Sequence, residues 1–196
     1  EVGMGVRLSG IQKSFAQGNN QATGNALDIA IEGNGFFKVI TPDGETAYTR
    51  NGAFKLDGEG AIVNGNGYKL EPEIVIPNNL IDLSIAKDGI VTATDPTTGE
   101  LVDLGQITIA DFINPAGLSP MGETMFKVSE ASGDALEGDP GTDQFGFIRQ
   151  GMIESSNVSL VTEMVDLITA QRAYESNSKA ISTTDQMLDI INRLKR

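Results

Sequence analysis

Residues 27–40 read LDIAIEGNGFFKVI, and this stretch decides the fold of most of the chain. Apolar and polar residues alternate up to Glu32, a Gly-Asn-Gly segment interrupts the run at 33–35, and a second apolar run starts at Phe36. Alternation with a period of two is typical of a half-buried strand, and glycine supplies the backbone freedom of a tight connection. The stretch therefore predicts two strands joined by a turn.

The pattern of short apolar runs separated by turn residues continues to about residue 126. Dipeptides such as Asn51-Gly52 and Asp57-Gly58 tolerate the positive φ angles that hairpin turns need. The further strands predicted on this basis are 46–50, 54–56, 62–63, 68–70, 74–76, 83–86, 90–94 and 105–112. The predicted fold class is mainly β: an extended lead-in at 1–26, then an antiparallel β-rich body with glycine turns at 27–150, then one long C-terminal α-helix.

An acidic segment at 129–146 interrupts this pattern. Its carboxylates stand among glycines and small residues without a hydrophobic period; they are Glu130, Asp134, Glu137, Asp139 and Asp143. Such a composition is typical of a solvated connection rather than of a packed element. We therefore expect a mobile acidic loop within the body.

The C-terminal region, 151–196, is predicted to be an assembly helix. No glycine or proline follows Gly151, and Ser155, Ser156 and Asn157 are candidate N-caps for a helix that runs from about Asn157 to the end. At 1.5 Å per residue this helix would be roughly 57 Å long. A β-body of this size has a radius of gyration of only about 14 Å. A helix that simply covers its own body is the ordinary alternative, and the length of this one favours packing against partner helices instead.

Two apolar patches with helical spacing lie on this helix, one near its start and one near its end. Small residues such as Ala170, Ala173 and Ala180 lie between the patches and allow close approach of another helix. The positions predicted to pack between subunits are Leu160, Met164, Leu167, Ile168, Tyr174, Ile181, Leu188 and Ile191.

Composition excludes several classes of function. The chain has 14 basic and 27 acidic residues for a net charge of −13, so nucleic acid and anionic membranes are disfavoured as partners. Cysteine and histidine are absent. A histidine-based triad, a cysteine nucleophile and the usual zinc or haem ligand sets are therefore excluded. No apolar stretch is long enough to span a bilayer, so direct membrane insertion is not expected.

The motifs that could carry chemistry are better explained as turns. Gly-x-Gly segments occur at 33–35, 58–60 and 65–67, but none opens a helix, which a phosphate-binding loop requires. The segment Asp57-Gly58-Glu59-Gly60 lacks the repeated acidic ligands of an EF-hand. We predict no catalytic, cofactor-binding or metal-binding residues, and the chain is not expected to be an enzyme.

Five blocks of sequence carry a resemblance to a known family. They read LDIAIEGNGFF at 27–37, AYTRNGAF at 47–54, QGMIESSNV at 150–158, EMVDLI at 163–168 and QRAYESNSKAI at 171–181. The first two resemble the block shared by the rod and hook axial proteins of the bacterial flagellum. The last three are similar to the C-terminus of the distal-rod members, which rank ahead of the hook and proximal-rod members.

The resemblance implies a structural subunit of a hollow rod that transmits torque, with the β-body outside and the C-terminal helix inside. It implies homo-oligomers in a helical tube, contacts with proximal-rod and hook proteins and with the surrounding rings, and a place in the basal body from periplasm to outer membrane, reached by type III export. Family members begin with a helix that pairs with the C-terminal helix, so we expect this sequence to be N-terminally truncated. As a hypothesis, part of the polar middle of the helix faces the lumen, including Gln171, Asn177, Ser178 and Thr184.

Two classes compete with this interpretation. One is a secreted acidic module whose body binds a carbohydrate or calcium and whose helix is a stalk. The other is an enzyme that uses a pair of carboxylates, as glycosidases do, although such pairs cannot be identified from spacing when the partners lie on different strands.

Overall fold

The computed structural model of the protein describes residues 7, 10, 12–77, 79–142 and 144–194. The predicted fold class is confirmed: antiparallel strands make up the body and one long helix follows. The elements are β1 (Asn20–Ala22), β2 (Ile29–Glu32), β3 (Phe36–Ile40), β4 (Thr46–Thr49), β5 (Lys55–Leu56), β6 (Ile62–Val63), β7 (Lys69–Glu71), β8 (Ile81–Ile85), β9 (Ile90–Thr94), β10 (Leu101–Gln106), β11 (Ile109–Asp111), β12 (Ser119–Gly122), β13 (Met125–Lys127), β14 (Leu136–Gly138), β15 (Phe147–Gln150), β16 (Met152–Glu154) and α1 (Leu160–Leu194), with a 3₁₀ turn at Pro115–Gly117.

The largest sheet is built around β3. Its main path runs in the order β12-β13-β4-β3-β7-β6-β5, and β11 joins β3 to β14. Three smaller sheets complete the described body: β10-β9-β8, β15-β2 and β1-β16. All pairings are antiparallel, as glycine-rich hairpin connections predict.

The alternation along β3 separates two cores. Phe37 and Val39 are fully buried in the main aliphatic core, where the Phe37 and Phe54 rings lie edge to face at 5.3 Å between centroids. Phe36 points to the other side, into an aromatic cluster that includes Tyr48 and Phe112. Because successive side chains of a strand point to opposite faces, the two adjacent phenylalanines of the opening stretch supply both cores.

Lys38 shares the second face of β3 with Phe36 and is largely buried. Its ammonium lies 2.8 Å from the Glu137 carboxylate and 3.6 Å from the Glu71 carboxylate. Tyr48 lies opposite Lys38 in the β3–β4 register. Burial raises the pKa of the Tyr48 phenol, and the charges of Glu137 and Glu71 raise it further. These contacts join β3, β7 and β14 in one charged cluster.

Two strand predictions in the body are wrong in detail. Residues 74–76 form no strand, because only an isolated bridge joins Val75 to Ala61. The predicted strand at 105–112 is divided between β10 and β11, which pair with different partners. A bulge precedes the division: the Gly105 N–H donates to the Asp103 carboxylate at 3.0 Å, and Gly105 adopts a φ of 130°. Glycine tolerates this conformation, and bulges bend a strand away from its partner.

The turn after β5 is closed by the Asp57 carboxylate. One of its oxygens accepts the backbone N–H of Ala61 at 2.8 Å and that of Glu59 at 2.9 Å. Backbone hydrogen bonds, first that from Ala61, lower the pKa of Asp57 below its ordinary value. Asp57 is half-buried, and its hydrogen bonds to the backbone hold the turn.

The segment 129–146 is more ordered in secondary structure than the sequence predicts. Strand β14 lies inside it and pairs with β11, and Ser132 is buried, with its hydroxyl donating to the Ser129 carbonyl at 2.8 Å. The expectation of a loop without regular structure is therefore wrong for 136–138. The physical reason is that β11 presents an open edge, and even a short polar segment can pair with it. Asp143 lies outside the described residues, and mobility of the segment stays a prediction.

The chain divides into two units, residues 1–156 and 157–196. Helix α1 begins at Leu160 rather than at 151 or 157, because Met152–Glu154 form strand β16. The N-cap is also different from the predicted Ser155, Ser156 or Asn157: the Ser159 hydroxyl accepts the Thr162 N–H at 3.4 Å. Most of the lead-in before residue 12 and the last two residues, 195 and 196, lie outside the described residues.

Candidate assembly surface

The structure places all eight predicted packing residues on α1, and all are exposed. Their exposed fractions run from 46% at Ile168 to 77% at Leu160. Helix α1 has 35 residues, which corresponds to about 52 Å. A run of exposed large apolar side chains over this length is far more than the single exposed apolar residues that are normal on a protein surface.

Five of the eight residues share one position of a seven-residue repeat. They are Leu160, Leu167, Tyr174, Ile181 and Leu188. In a straight helix, residues seven apart drift by about 20° per repeat, and a left-handed supercoil with a partner removes this drift. We call these five residues the heptad column. Its spacing is that of helices which pack along their whole length.

The remaining apolar residues lie on different sides of the heptad column in the two halves of the helix. In the first half they are Val161, Met164, Val165 and Ile168; in the second half they are Met187, Ile190 and Ile191. When a supercoil keeps the heptad column on one line, at about 103° per residue, the apolar residues of the first half centre roughly 155° away from those of the second half. A single partner helix that follows the heptad column cannot cover both groups.

The four polar residues predicted to face a lumen lie in two rows rather than one. Gln171 and Ser178 are seven residues apart on one side, whereas Asn177 and Thr184 are seven apart on a side roughly 120° away. The Thr184 hydroxyl donates to the Ala180 carbonyl at 2.9 Å, so this side chain is partly satisfied within the helix. The two rows are separate candidates for a wet surface.

A connector at 155–159 joins strand β16 to α1. Strand β16 pairs with β1 in a short two-stranded ribbon. The register joins Asn20 to Glu154 and Ala22 to Met152. Just beyond the ribbon the Ser155 N–H donates to the Asn19 carbonyl at 2.9 Å. Because the strands are antiparallel, the chain before Asn19 and the chain after Ser155 leave the ribbon at the same end.

A side-chain cluster around Arg50 holds this ribbon. The Arg50 Nε donates to Glu154 at 2.8 Å, and its two terminal nitrogens donate to the Gly35 carbonyl at 3.1 Å and the Gly33 carbonyl at 3.0 Å. The second Glu154 oxygen accepts the Gly18 N–H at 2.8 Å. The Arg50 and Glu154 side chains are only 17% and 11% exposed. One ion pair therefore joins the lead-in, the Gly-Asn-Gly turn and the strand before the helix connector.

Reasoning from the sequence missed Arg50 and Glu154. The signal was present: Arg50 lies in the AYTRNGAF block at 47–54 and Glu154 in the QGMIESSNV block at 150–158. Nothing in the spacing of the two blocks predicts that they meet, because more than half of the chain lies between them.

Among the described residues no group of three or more His, Cys, Asp and Glu side chains is placed to hold a metal ion. Within the same residues, α1 is too polar to qualify as a membrane-crossing helix, and no other helix is long enough.

Comparison with known proteins connects both units to one family. The family model described as "Flagellar hook protein FlgE/F/G D1 domain" matches residues 30–93, and the one described as "Flagellar basal body rod FlgEFG protein C-terminal" matches residues 149–194. These matches include nearly all of β2–β9 in the body and all of α1.

Curated relatives extend the similarity to the whole chain. The flagellar basal-body rod protein FlgG of Borreliella burgdorferi is 48% identical over 100% of this chain and 75% of its own length, and FlgG of Bacillus subtilis is 39% identical over the same shares. The hook protein FlgE of Salmonella typhimurium is 40% identical over 67% of this chain but only 31% of its own length. The chain therefore belongs to the FlgG family of flagellar basal-body rod proteins.

Proposed function

We propose that this chain is a structural subunit of the flagellar distal rod, which self-assembles into a hollow shaft that transmits torque. The observation that carries the proposal is the exposed heptad column along α1, in a chain that belongs to a family of rod proteins. Apolar side chains at seven-residue spacing gain free energy when partner helices cover them. Partner copies of the same chain supply such helices in any number.

The apolar side chains beside the heptad column change side between the two halves of α1, and this supports a tubular assembly rather than a dimer. The first half presents Met164 and Ile168 on one side of the heptad column, and the second half presents Met187 and Ile191 on the other. A two-fold dimer whose helices follow the heptad column leaves one of these groups exposed. Contact with several neighbours covers both, and contacts that do not close on themselves produce helical assemblies.

The distribution of charge supports a helix inside and a body outside. Residues 157–196 carry five acidic and five basic side chains, so the whole net charge of −13 belongs to residues 1–156. A neutral helix can be surrounded by copies of itself without accumulating charge, whereas an acidic body repels its copies least at large radius. The two polar rows of α1, at Gln171 with Ser178 and at Asn177 with Thr184, are the candidates for the side that faces the lumen.

In this role the chain has no catalytic residue, and its work is mechanical. Its proposed partners are other copies of itself, the proximal-rod and hook proteins at the two ends of the rod, and the basal-body rings around it. The proposed location is the basal body from periplasm to outer membrane, reached by type III export.

Sedimentation and electron microscopy of the purified protein test the proposal. This chain is compared with a version extended to the full length of its relatives, since it spans about three quarters of that length. We expect the extended protein to form hollow filaments or bundles above a critical concentration. Compact monomers of both versions at all concentrations, with α1 folded onto the body, would contradict self-assembly.

A further inference from the structure

We propose that Arg50 and Glu154 are positioning residues for assembly, whose ion pair fixes the start of the α1 connector on the β-body. The inference rests on the proposed function, because it concerns how load passes between a helix and a body. Torque that enters through α1 reaches the body through the connector at 155–159 and strand β16. The stiffness of that path depends on how firmly β16 is held.

The β1–β16 ribbon needs such support, since it is too short to hold itself. It joins only three residue pairs, and isolated two-stranded ribbons are marginally stable in water. On its inner side, the Gly151 N–H donates to the Asp28 carbonyl at 2.7 Å and fixes the beginning of β16. The end of β16, from which the connector departs, is held through the side chain of Glu154.

The geometry of Arg50 suits it to this role. Its planar guanidinium binds one carboxylate and two backbone carbonyls at once, and only arginine offers donors in this rigid fork. The guanidinium carbon also lies 5.9 Å from the centroid of the Phe36 ring, which limits its movement. Glu154 uses its two oxygens for Arg50 and for the Gly18 N–H, so the same carboxylate also joins β16 to the lead-in just before β1.

A second ion pair provides a matched control. Arg149 donates through Nε to Glu32 at 2.6 Å, but these side chains are 42% and 48% exposed. That pair bridges β15 and β2, two body strands already joined over four residue pairs. Exposed pairs are screened by solvent and contribute little, whereas loss of one partner from a buried pair leaves an uncompensated charge.

The first measurement is hydrogen exchange on the full chain, with Glu154→Gln and Arg50→Lys compared with Glu32→Gln. Glu154→Gln preserves size, so the body should still fold. We expect exchange at the β1 and β16 amides to rise at least about tenfold, with β3 and β4 unchanged. Arg50→Lys keeps the positive charge but loses the planar set of guanidinium donors, and should show a smaller rise in amide exchange at β1 and β16. Equal protection of the ribbon in Glu154→Gln and Glu32→Gln, or a uniform rise over the whole body, would overturn the inference.

The second measurement is the persistence length of assembled filaments seen by electron microscopy. Because α1 is unchanged, Glu154→Gln should still assemble, with filaments at least about twofold more flexible than those of Glu32→Gln. Filaments of unchanged stiffness, despite a loosened ribbon, would show that load does not pass through this pair. If neither this chain nor its full-length version forms filaments without the substitution, the proposed function itself is contradicted, and the exchange measurement still decides whether the pair holds the ribbon.

Discussion

Replacement of Leu188 in α1 by glutamine should weaken assembly without weakening the fold. Leu188 is 53% exposed, so about half of its side chain remains to be covered by a partner. Full burial of a leucine is worth about 1.5–3 kcal/mol, and half of that is about 0.8–1.6 kcal/mol for each contact. At about 1.4 kcal/mol per factor of ten, the critical concentration should rise roughly 4- to 15-fold. Glutamine forms helices nearly as well as leucine, so α1 itself should persist.

The critical concentration of the full-length version is measured by sedimentation, and thermal unfolding monitors the body in the same samples. Ser182→Gln is the control, because it introduces the same residue on the polar side of the same half of the helix. We expect the critical concentration of Ser182→Gln to change by no more than about twofold. A critical concentration for Leu188→Gln within twofold of the original, or an equal rise for Ser182→Gln, would refute the assignment of the heptad column to subunit packing.

Three further predictions concern the body. Gly18→Ala should separate the ribbon, since a Cβ there would overlap the Ser155 carbonyl oxygen, whereas Gly58→Ala, with open space around it, should be tolerated. Amide exchange at β1 distinguishes the two variants, and equal protection in both would contradict the close approach. Phe37→Ala removes a fully buried ring and should lower the free energy of unfolding of the body by about 3–5 kcal/mol in chemical denaturation; a loss below about 1 kcal/mol would exclude its place in the core. Because the pKa of Asp57 is lowered in the folded body, its carboxylate stabilises the fold above about pH 4, and this stabilisation is lost as the pH falls. The difference in denaturation midpoint between the original chain and Asp57→Asn should therefore shrink from pH 7 to pH 3. A difference independent of pH would contradict this prediction.

The sequence predicts the fold class well because its signals are local. The period of two around Phe36 and Phe37, the glycine turns and the absence of glycine and proline after Gly151 each determine one element without reference to the rest of the chain. The errors occur where a partner strand determines whether a segment becomes a strand. Residues 136–138 become a strand only because β11 presents an edge to them. Val75 forms only an isolated bridge to Ala61, so residues around it do not become a strand.

The candidate site divides in the same way. The packing positions on α1 follow from helical periodicity, and their role in subunit contacts stays a prediction. Arg50 and Glu154 could not be found by periodicity, since their meeting depends on the tertiary fold that returns β16 to β1. Long-range pairs of this kind leave no signal in the spacing of one sequence.

The ribbon of β1 and β16 has a consequence for how such proteins can diverge. The chain enters the body and leaves it at neighbouring points, so the body is an insertion between two stretches of chain that meet at its base. Insertions with adjacent ends can be enlarged, trimmed or exchanged without altering the path of the host segments. The hook protein of Salmonella typhimurium shares about two thirds of this chain within 31% of its own length. A common base that accepts bodies of different size would let one ancestral module occur both in this chain and in a longer relative.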